Sequence, residues 1–184
     1  MYKIAIIGEQ CAGKTTVAQS IQRYFDGAVV IKYASPHYGV LHILGKEKNR
    51  SFMQEFSDLA KKHFGQDCFL KSFEKNVGGV LMNPQLKAIS LMVCDDVRYK
   101  AELELCQKLG FITIFVSAST DTRVRRARAL NLDFITDHNS ETEVPGLQTY
   151  CDYIVQNNGD KDALEREIWR VVAGLQEQEK STIH

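Results

Sequence analysis

The chain has 184 residues, with 23 lysines and arginines against 23 aspartates and glutamates, a size that suits one α/β domain burying about 70% of its unfolded surface. Its formal net charge is zero, so it lacks the positive field that polymeric nucleic acid would favour, and its basic residues must act locally. Its five cysteines, Cys11, Cys68, Cys94, Cys106 and Cys151, are odd in number and form no C-x-x-C pair, which fits free thiols in a reducing compartment better than a disulfide framework or a zinc site.

The first residues open straight into an apolar run, Lys3–Ile7, without a signal-like segment or a membrane-length apolar stretch. Secretion and membrane insertion are therefore not expected, and a cytoplasmic location is. Gly8 to Thr15 then reads GEQCAGKT, a G-x-x-x-x-G-K-T motif, and the helix-compatible stretch Thr15 to Tyr24 follows. Strand, glycine loop and helix in that order are what a phosphate-binding P-loop requires. The glycines let the backbone curl so that its N–H groups point inward, and the helix dipole adds positive potential. Gly8, Cys11, Ala12, Gly13, Lys14, Thr15 and Thr16 are thus expected to cradle ATP. Lys14 would reach the β and γ phosphates, and Thr15 would place its hydroxyl on Mg²⁺.

Further β-rich runs at Ala28–Tyr33, Ile89–Cys94, Phe111–Val116 and Tyr153–Gln156 alternate with amphipathic segments. The alternation predicts a three-layer α/β fold, a parallel five-stranded sheet between helices, with ligands at the strands' carboxyl ends. The expectation is a single domain: a core of 1–34, 88–120 and 146–184, an acceptor-binding insert of 35–87 and a lid of 121–145.

Within the first insert, helical spacing from Glu47 to Phe64 sets Phe52, Phe56, Leu59, Ala60 and His63 on one side and Arg50, Gln54, Ser57 and Lys61 on the other. Arg50 and Gln54, one turn apart, suit an acceptor phosphate and a base or sugar edge. Tyr33, Tyr38, Phe69 and Phe73 crowd the same region and offer ring planes for stacking on a base. The third strand delivers Asp95 and Asp96 to the carboxyl edge, where a magnesium shell or a catalytic base belongs. Arg98 follows, to act beside Asp96 or to pair with it. In the second insert Ser119, Thr120 and Asp121 suit a helix start, and Arg123 and Arg126 then share a face that could offset charge on a transferring phosphoryl group. The last helix, Asp160 to Gln178, carries a core stripe of Leu164, Ile168, Val171, Val172 and Leu175.

GEQCAGKT, Arg50-x-x-x-Gln54 leading to Gly65-Gln66-Asp67, Asp96-Val97-Arg98 with Glu102, the Arg123/Arg126 pair, His138-Asn139-Ser140-Glu141 and the run from Asp152 to Asn157 together resemble the phage-type deoxynucleoside monophosphate kinases. The resemblance spans almost the whole chain. It implies the P-loop nucleoside monophosphate kinase fold, with an arginine-bearing lid, and transfer of the γ-phosphoryl group of ATP to a deoxynucleotide, in the host cytoplasm for a phage protein. By resemblance Lys14 and Thr15 handle ATP and Mg²⁺, and Asp95 corresponds to the Walker B aspartate. Arg50, Gln54, Asp67 and Arg98 face the acceptor; Tyr33, Phe69, Asp96 and Glu141 are further candidates for its site, with a structural clasp anchoring the lid as the other reading of the His138/Glu141 pair. Arg123 and Arg126 close over the donor phosphates. The chain departs from the pattern at Tyr99-Lys100-Ala101-Glu102, where the family has a proline and an asparagine before the glutamate.

GTPase base-reading and switch motifs are missing, as is the transporter signature L-S-G-G-Q. A small-metabolite kinase of the phosphomevalonate kinase type and a non-catalytic ATP-binding regulatory module remain as alternatives. A homodimer is left open.

Overall fold

The computed structural model describes residues 1–132, 134 and 142–182, with the side chains of Arg50 and of 178–182 excepted. Five strands, β1 (Tyr2–Ile7), β2 (Ala28–Val30), β3 (Leu91–Val97), β4 (Ile112–Ser117) and β5 (Tyr153–Gln156), form one all-parallel sheet in the order β2-β3-β1-β4-β5. The runs are apolar almost throughout because both faces are covered, as parallel sheets demand. Along β1, Ile4 and Ile6 point to one face and Ala5 and Ile7 to the other. The first face meets α1 (Lys14–Gln22) and α7 (Lys161–Thr182) through Val17, Ile21, Ile168, Val171 and Leu175. The second meets α4 (Cys68–Met82) and α5 (Lys100–Lys108) through Phe73, Val77, Leu103 and Cys106. The five apolar residues expected on the last helix are all buried, and that helix runs to Thr182 rather than stopping near Gln178.

From β1 the chain passes to one side of the sheet, and from β3 it crosses to the other, so the carboxyl ends of β1 and β3 flank a topological switch point. The pairing of β1 with β3 slips there, from Ala5 opposite Cys94 to Ile7 opposite Val97. The extra β3 residue breaks strict alternation at Asp95 and Asp96, and such an irregularity re-aims the side chains it carries. β3 runs on to Val97, one residue past the expected Asp95-Asp96 end, and both carboxylates find polar partners at the edge.

The first insert holds three helices, α2 (Ser35–Ile43), α3 (Arg50–Phe64) and α4, then a 3₁₀ turn at Pro84–Leu86. Asn49 caps α3 by accepting the Phe52 N–H at 2.9 Å, which sets the helix start three residues later than Glu47. Only part of the apolar side expected on α3 is covered. Ala60 is buried and Phe52 and Phe56 are half-buried, but Leu59 is 58% exposed and His63 is also exposed. The helix packs on α2 and α4, two helices that shelter a narrower stripe than a sheet would. In the second insert α6 (Thr120–Ala129) starts where expected, with the Ser119 hydroxyl accepting the Thr122 N–H. No helix among the described residues is long and apolar enough to cross a membrane.

Candidate active site

The GEQCAGKT loop lies between β1 and α1 at the switch point. Gly13 stands at the helix start with φ 101°, and a Cβ there would lie 2.3 Å from Asn157 Nδ2, so only glycine fits. Gly8 is held as tightly, since its Cβ would come within 2.6 Å of the Val116 carbonyl. Cys11 takes a left-handed φ of 60°, a conformation that costs a non-glycine residue about 1 kcal/mol or more. Lys14 Nζ curls back over the loop, donating to Gly8 O at 2.6 Å and Glu9 O at 3.0 Å.

Across the switch point the Thr15 hydroxyl donates to Asp95 Oδ2 at 3.0 Å. The other oxygen of Asp95 lies 2.7 Å from Lys32 Nζ, just past the end of β2. Burial alone would lower the Lys32 ammonium, but the hydrogen bond and charge of Asp95, with the charge of Asp96, hold it above its ordinary value. Asp96 points toward β2 and accepts the backbone N–H groups of Tyr33 and Ala34 at 3.1 and 3.0 Å. Desolvation raises its carboxyl, and those two N–H bonds pull it partly back. Asp96 therefore holds the loop after β2 in place, and no Asp96–Arg98 ion pair accounts for it.

These residues line one open cavity of about 1640 Å³, larger than the ~300–1,000 Å³ that a single small ligand commonly fills. Its phosphate-loop half is bounded by the glycine loop, Arg126 and Asn157, and its other half by Lys32, His37, Gln54, Lys61 and Arg98. Thr15 and Asp95 stand where the halves meet. His37 stacks on Phe69 with ring centroids 4.7 Å apart and is 2.6 Å from the Ser57 hydroxyl, so α2 and α3 are clasped at this wall. Desolvation lowers its imidazole.

The two α6 arginines share a helix face, as expected, but diverge in their partners. Arg126 lines the cavity and donates to Ala12 O at 3.1 Å and to Asn157 O at 3.0 Å. Arg123 is 7% exposed and lies 2.8 Å from Glu9, outside the cavity lining. Gln54, Phe69, Asp96 and Arg98 reach the cavity. One expected acceptor contact is corrected, that of Asp67. Tyr33 also lines the cavity, although it is 4% exposed, with its ring stacked on buried Phe73 and its hydroxyl on the Glu102 carbonyl. Asp67 is exposed, pairs with Lys71 one helical turn away, and does not reach the cavity. His138 and Glu141 lie outside the described residues, as does the side chain of Arg50.

Lys32, His37 and Asn157 line the cavity without having been assigned a role from sequence. Asn157 directly follows β5 and Lys32 lies two residues past the end of β2, so both open on the carboxyl edge of the sheet.

No family model and no curated relative matches the sequence. Solved structures do match in shape. A gluconokinase from Sinorhizobium meliloti 1021 superposes with a TM-score of 0.59 at 14% identity, over 100% of this chain and 98% of that one. A shikimate kinase from Bacteroides thetaiotaomicron gives 0.55 at 16% identity, over 95% and 98%. The fold is that of the P-loop kinases. A shikimate kinase from Aquifex aeolicus gives the same picture, 0.54 at 16% identity over 95% and 98%. In this P-loop kinase fold the glycine loop, Thr15 and Asp95 occupy the switch point from which the sheet's ligand crevice opens.

Proposed function

We propose that the chain is an ATP-dependent kinase that phosphorylates deoxynucleoside monophosphates to the diphosphates. One observation carries the reading: a single cavity has a phosphate-loop half and a cation-bearing half, joined at Thr15 and Asp95. A regulatory module that only bound ATP would have no use for the second half.

The donor half suits ATP. Gly13 leaves room where a Cβ would lie, a helix start presents first-turn N–H groups to the loop, and Lys14 Nζ already lies over the loop at the Gly8 and Glu9 carbonyls, within a swing of a phosphate. Thr15 Oγ1 and Asp95 Oδ2 are hard oxygen donors at one point, the kind Mg²⁺ takes one or two of while keeping water and phosphate for the rest. Held by Thr15 and Asp95, the ion would supply positive charge to offset that of the transferring phosphate. In the reaction an acceptor phosphate oxygen attacks the γ-phosphorus, the bond to the bridging oxygen breaks, and ADP leaves with the electron pair. Lys14 and Arg126 offset the charge gathered on the equatorial oxygens. Lys32, Lys61 and Arg98 hold an anionic acceptor, with Arg50 at the start of α3. Gln54 offers an amide to a base edge, something an isoprenoid phosphate could not use. With Tyr33 and Phe73 buried, Tyr38 and Phe69 are the rings left to shape the base pocket.

The second reading, a small-metabolite kinase, draws on the gluconokinase and shikimate kinase likeness, because carboxylates and phosphates would both answer those cations. A coupled ADP-release assay decides between them. The panel is the four common deoxynucleotides, their ribonucleotide counterparts, phosphomevalonate, shikimate and gluconate. The expected result is a kcat/KM for at least one deoxynucleotide roughly tenfold or more above every metabolite, about 1.4 kcal/mol in transition-state binding, with more than one base accepted. Activity confined to a metabolite would overturn the assignment, and ATP consumption unchanged by any acceptor would restore the regulatory module.

A further inference from the structure

Asp95 joins a hydroxyl and an ammonium through one carboxylate. Its Oδ2 accepts the Thr15 hydroxyl at 3.0 Å, and its Oδ1 lies 2.7 Å from Lys32 Nζ. The carboxylate is 4% exposed and the lysine 33% exposed, so the ammonium sits at the mouth of a nearly closed polar contact and faces the cavity. A divalent ion bound by Thr15 and Asp95 would bring two positive charges against that ammonium at close range, in a site where screening is weak. Lys32 must then give up Asp95 or weaken the ion. The other carboxylate near it, Asp96, already accepts two backbone N–H bonds, and Lys61 and Arg98 on the same wall are cations. An anion brought in by the acceptor is the group to which Lys32 would then turn.

We propose that Lys32 is a transferable cation, which neutralises Asp95 while the donor site is empty and passes to the acceptor's anionic group when a metal–nucleotide complex takes Asp95. Donor binding would thereby strengthen acceptor binding, and by linkage the reverse. This rests on the kinase reading and adds an order to it, donor before acceptor. Lys32 touches the acceptor in this scheme and so determines its affinity, while its long flexible stem allows the swing that a shorter residue could not make.

Two binding measurements without turnover test it, on the parent, Lys32→Met and Lys32→Arg, each first checked for a native unfolding transition. Mn²⁺ affinity for the complex with a nonhydrolysable ATP analogue is read by electron paramagnetic resonance. Acceptor affinity, with deoxythymidine monophosphate and phosphomevalonate as separate probes, is read by calorimetry with and without the magnesium analogue. The parent should bind its acceptor at least ~5-fold more tightly in the presence of the analogue, the lower end of ordinary coupling between sites. Lys32→Met should bind Mn²⁺ at least threefold more tightly than the parent and show coupling within twofold of none. Lys32→Arg, which keeps the charge, should retain at least half of the coupling in logarithmic terms. Mn²⁺ affinity unchanged in Lys32→Met, or coupling that survives there in full, would overturn the proposal. Coupling seen with phosphomevalonate and absent with the deoxynucleotide would uphold the role of Lys32 and overturn the deoxynucleotide assignment. A parent that binds no nucleotide would overturn both.

Discussion

Glu102 ties the stability of this fold to pH. The side chain lies in the first turn of α5, where its Oε2 accepts the Arg98 N–H at 2.8 Å and the Tyr99 N–H at 3.2 Å, closing a capping box. Burial pushes its carboxyl from 4.5 up to about 7, against the pull of the Arg98 N–H and with a further push from the charge of Asp96. Because the folded value is raised, the folded state keeps a proton that the unfolded chain has released between pH 4.5 and about 7. The contribution is fully present below pH 4.5 and is lost as pH rises through about 7. At 1.36 kcal/mol per pH unit that interval corresponds to ~3.4 kcal/mol, and water reaching the partly exposed carboxylate reduces it to about 2–3 kcal/mol. Glu102→Gln keeps an oxygen for both N–H bonds but has no proton to lose. Urea unfolding of both proteins at pH 4.5, 6, 7 and 8 isolates the effect, since every other titrating group is common to them. The parent should lose about 2–3 kcal/mol relative to the variant across that series, about 1 M in midpoint at the slope expected for this size. Curves that stay parallel within about 0.5 kcal/mol would refute a raised carboxyl at this position.

Lys14→Ala should lower turnover by roughly two to three orders of magnitude while leaving the fold intact, as loss of a preorganised charge at a phosphoryl-transfer centre does; turnover per folded molecule within a few-fold of the parent would refute the phosphate cradle. Arg126→Ala, on the cavity side, should depress kcat more than acceptor KM. Arg123→Ala removes a nearly buried partner of Glu9, so it should cost about 2–4 kcal/mol and some 4–16 °C in Tm, with the smaller loss of kcat of the two. Calorimetry and steady-state kinetics on both variants would expose the reverse pattern.

What could be read from the chain was what the chain keeps local. The glycine loop is eight consecutive residues between a strand and a helix, and both flanks follow from period and caps, so Lys14 and Thr15 fell where the motif put them. The C-terminal stripe likewise depends only on helical spacing. Contacts across the chain were harder, because spacing reveals a side chain's face but not what covers it. Tyr33 sat at a strand end with the bearing of a ligand platform, yet Phe73, forty residues on, lies flat against it. Phe52 and Leu59 share a side of α3, but the two helices that pack there shelter one more than the other. Asp67 is a different kind of miss: Lys71 one turn later was in plain view, and a local ion pair explains that carboxylate without any acceptor.

Asp95 and Asp96 show where pattern reading meets its physical boundary. Period-two alternation assigns two consecutive strand residues to opposite faces, one toward each layer of helices. At the β1–β3 slip the register departs from that rule, and both carboxylates serve the crevice instead, one toward the phosphate loop and one toward the segment after β2. An irregularity of this kind leaves no mark in composition or spacing, since it is a property of two strands 80 or more residues apart. What the sequence does hold is position: Asp95 lies near the end of its strand, and Asn157 and Lys32 lie one and two residues beyond theirs, and in a parallel sheet every such position opens on the same edge. Taking strand ends as a set, rather than one at a time for acidic residues alone, would have brought the lysine, the aspartate and the asparagine to one site before any coordinate was known.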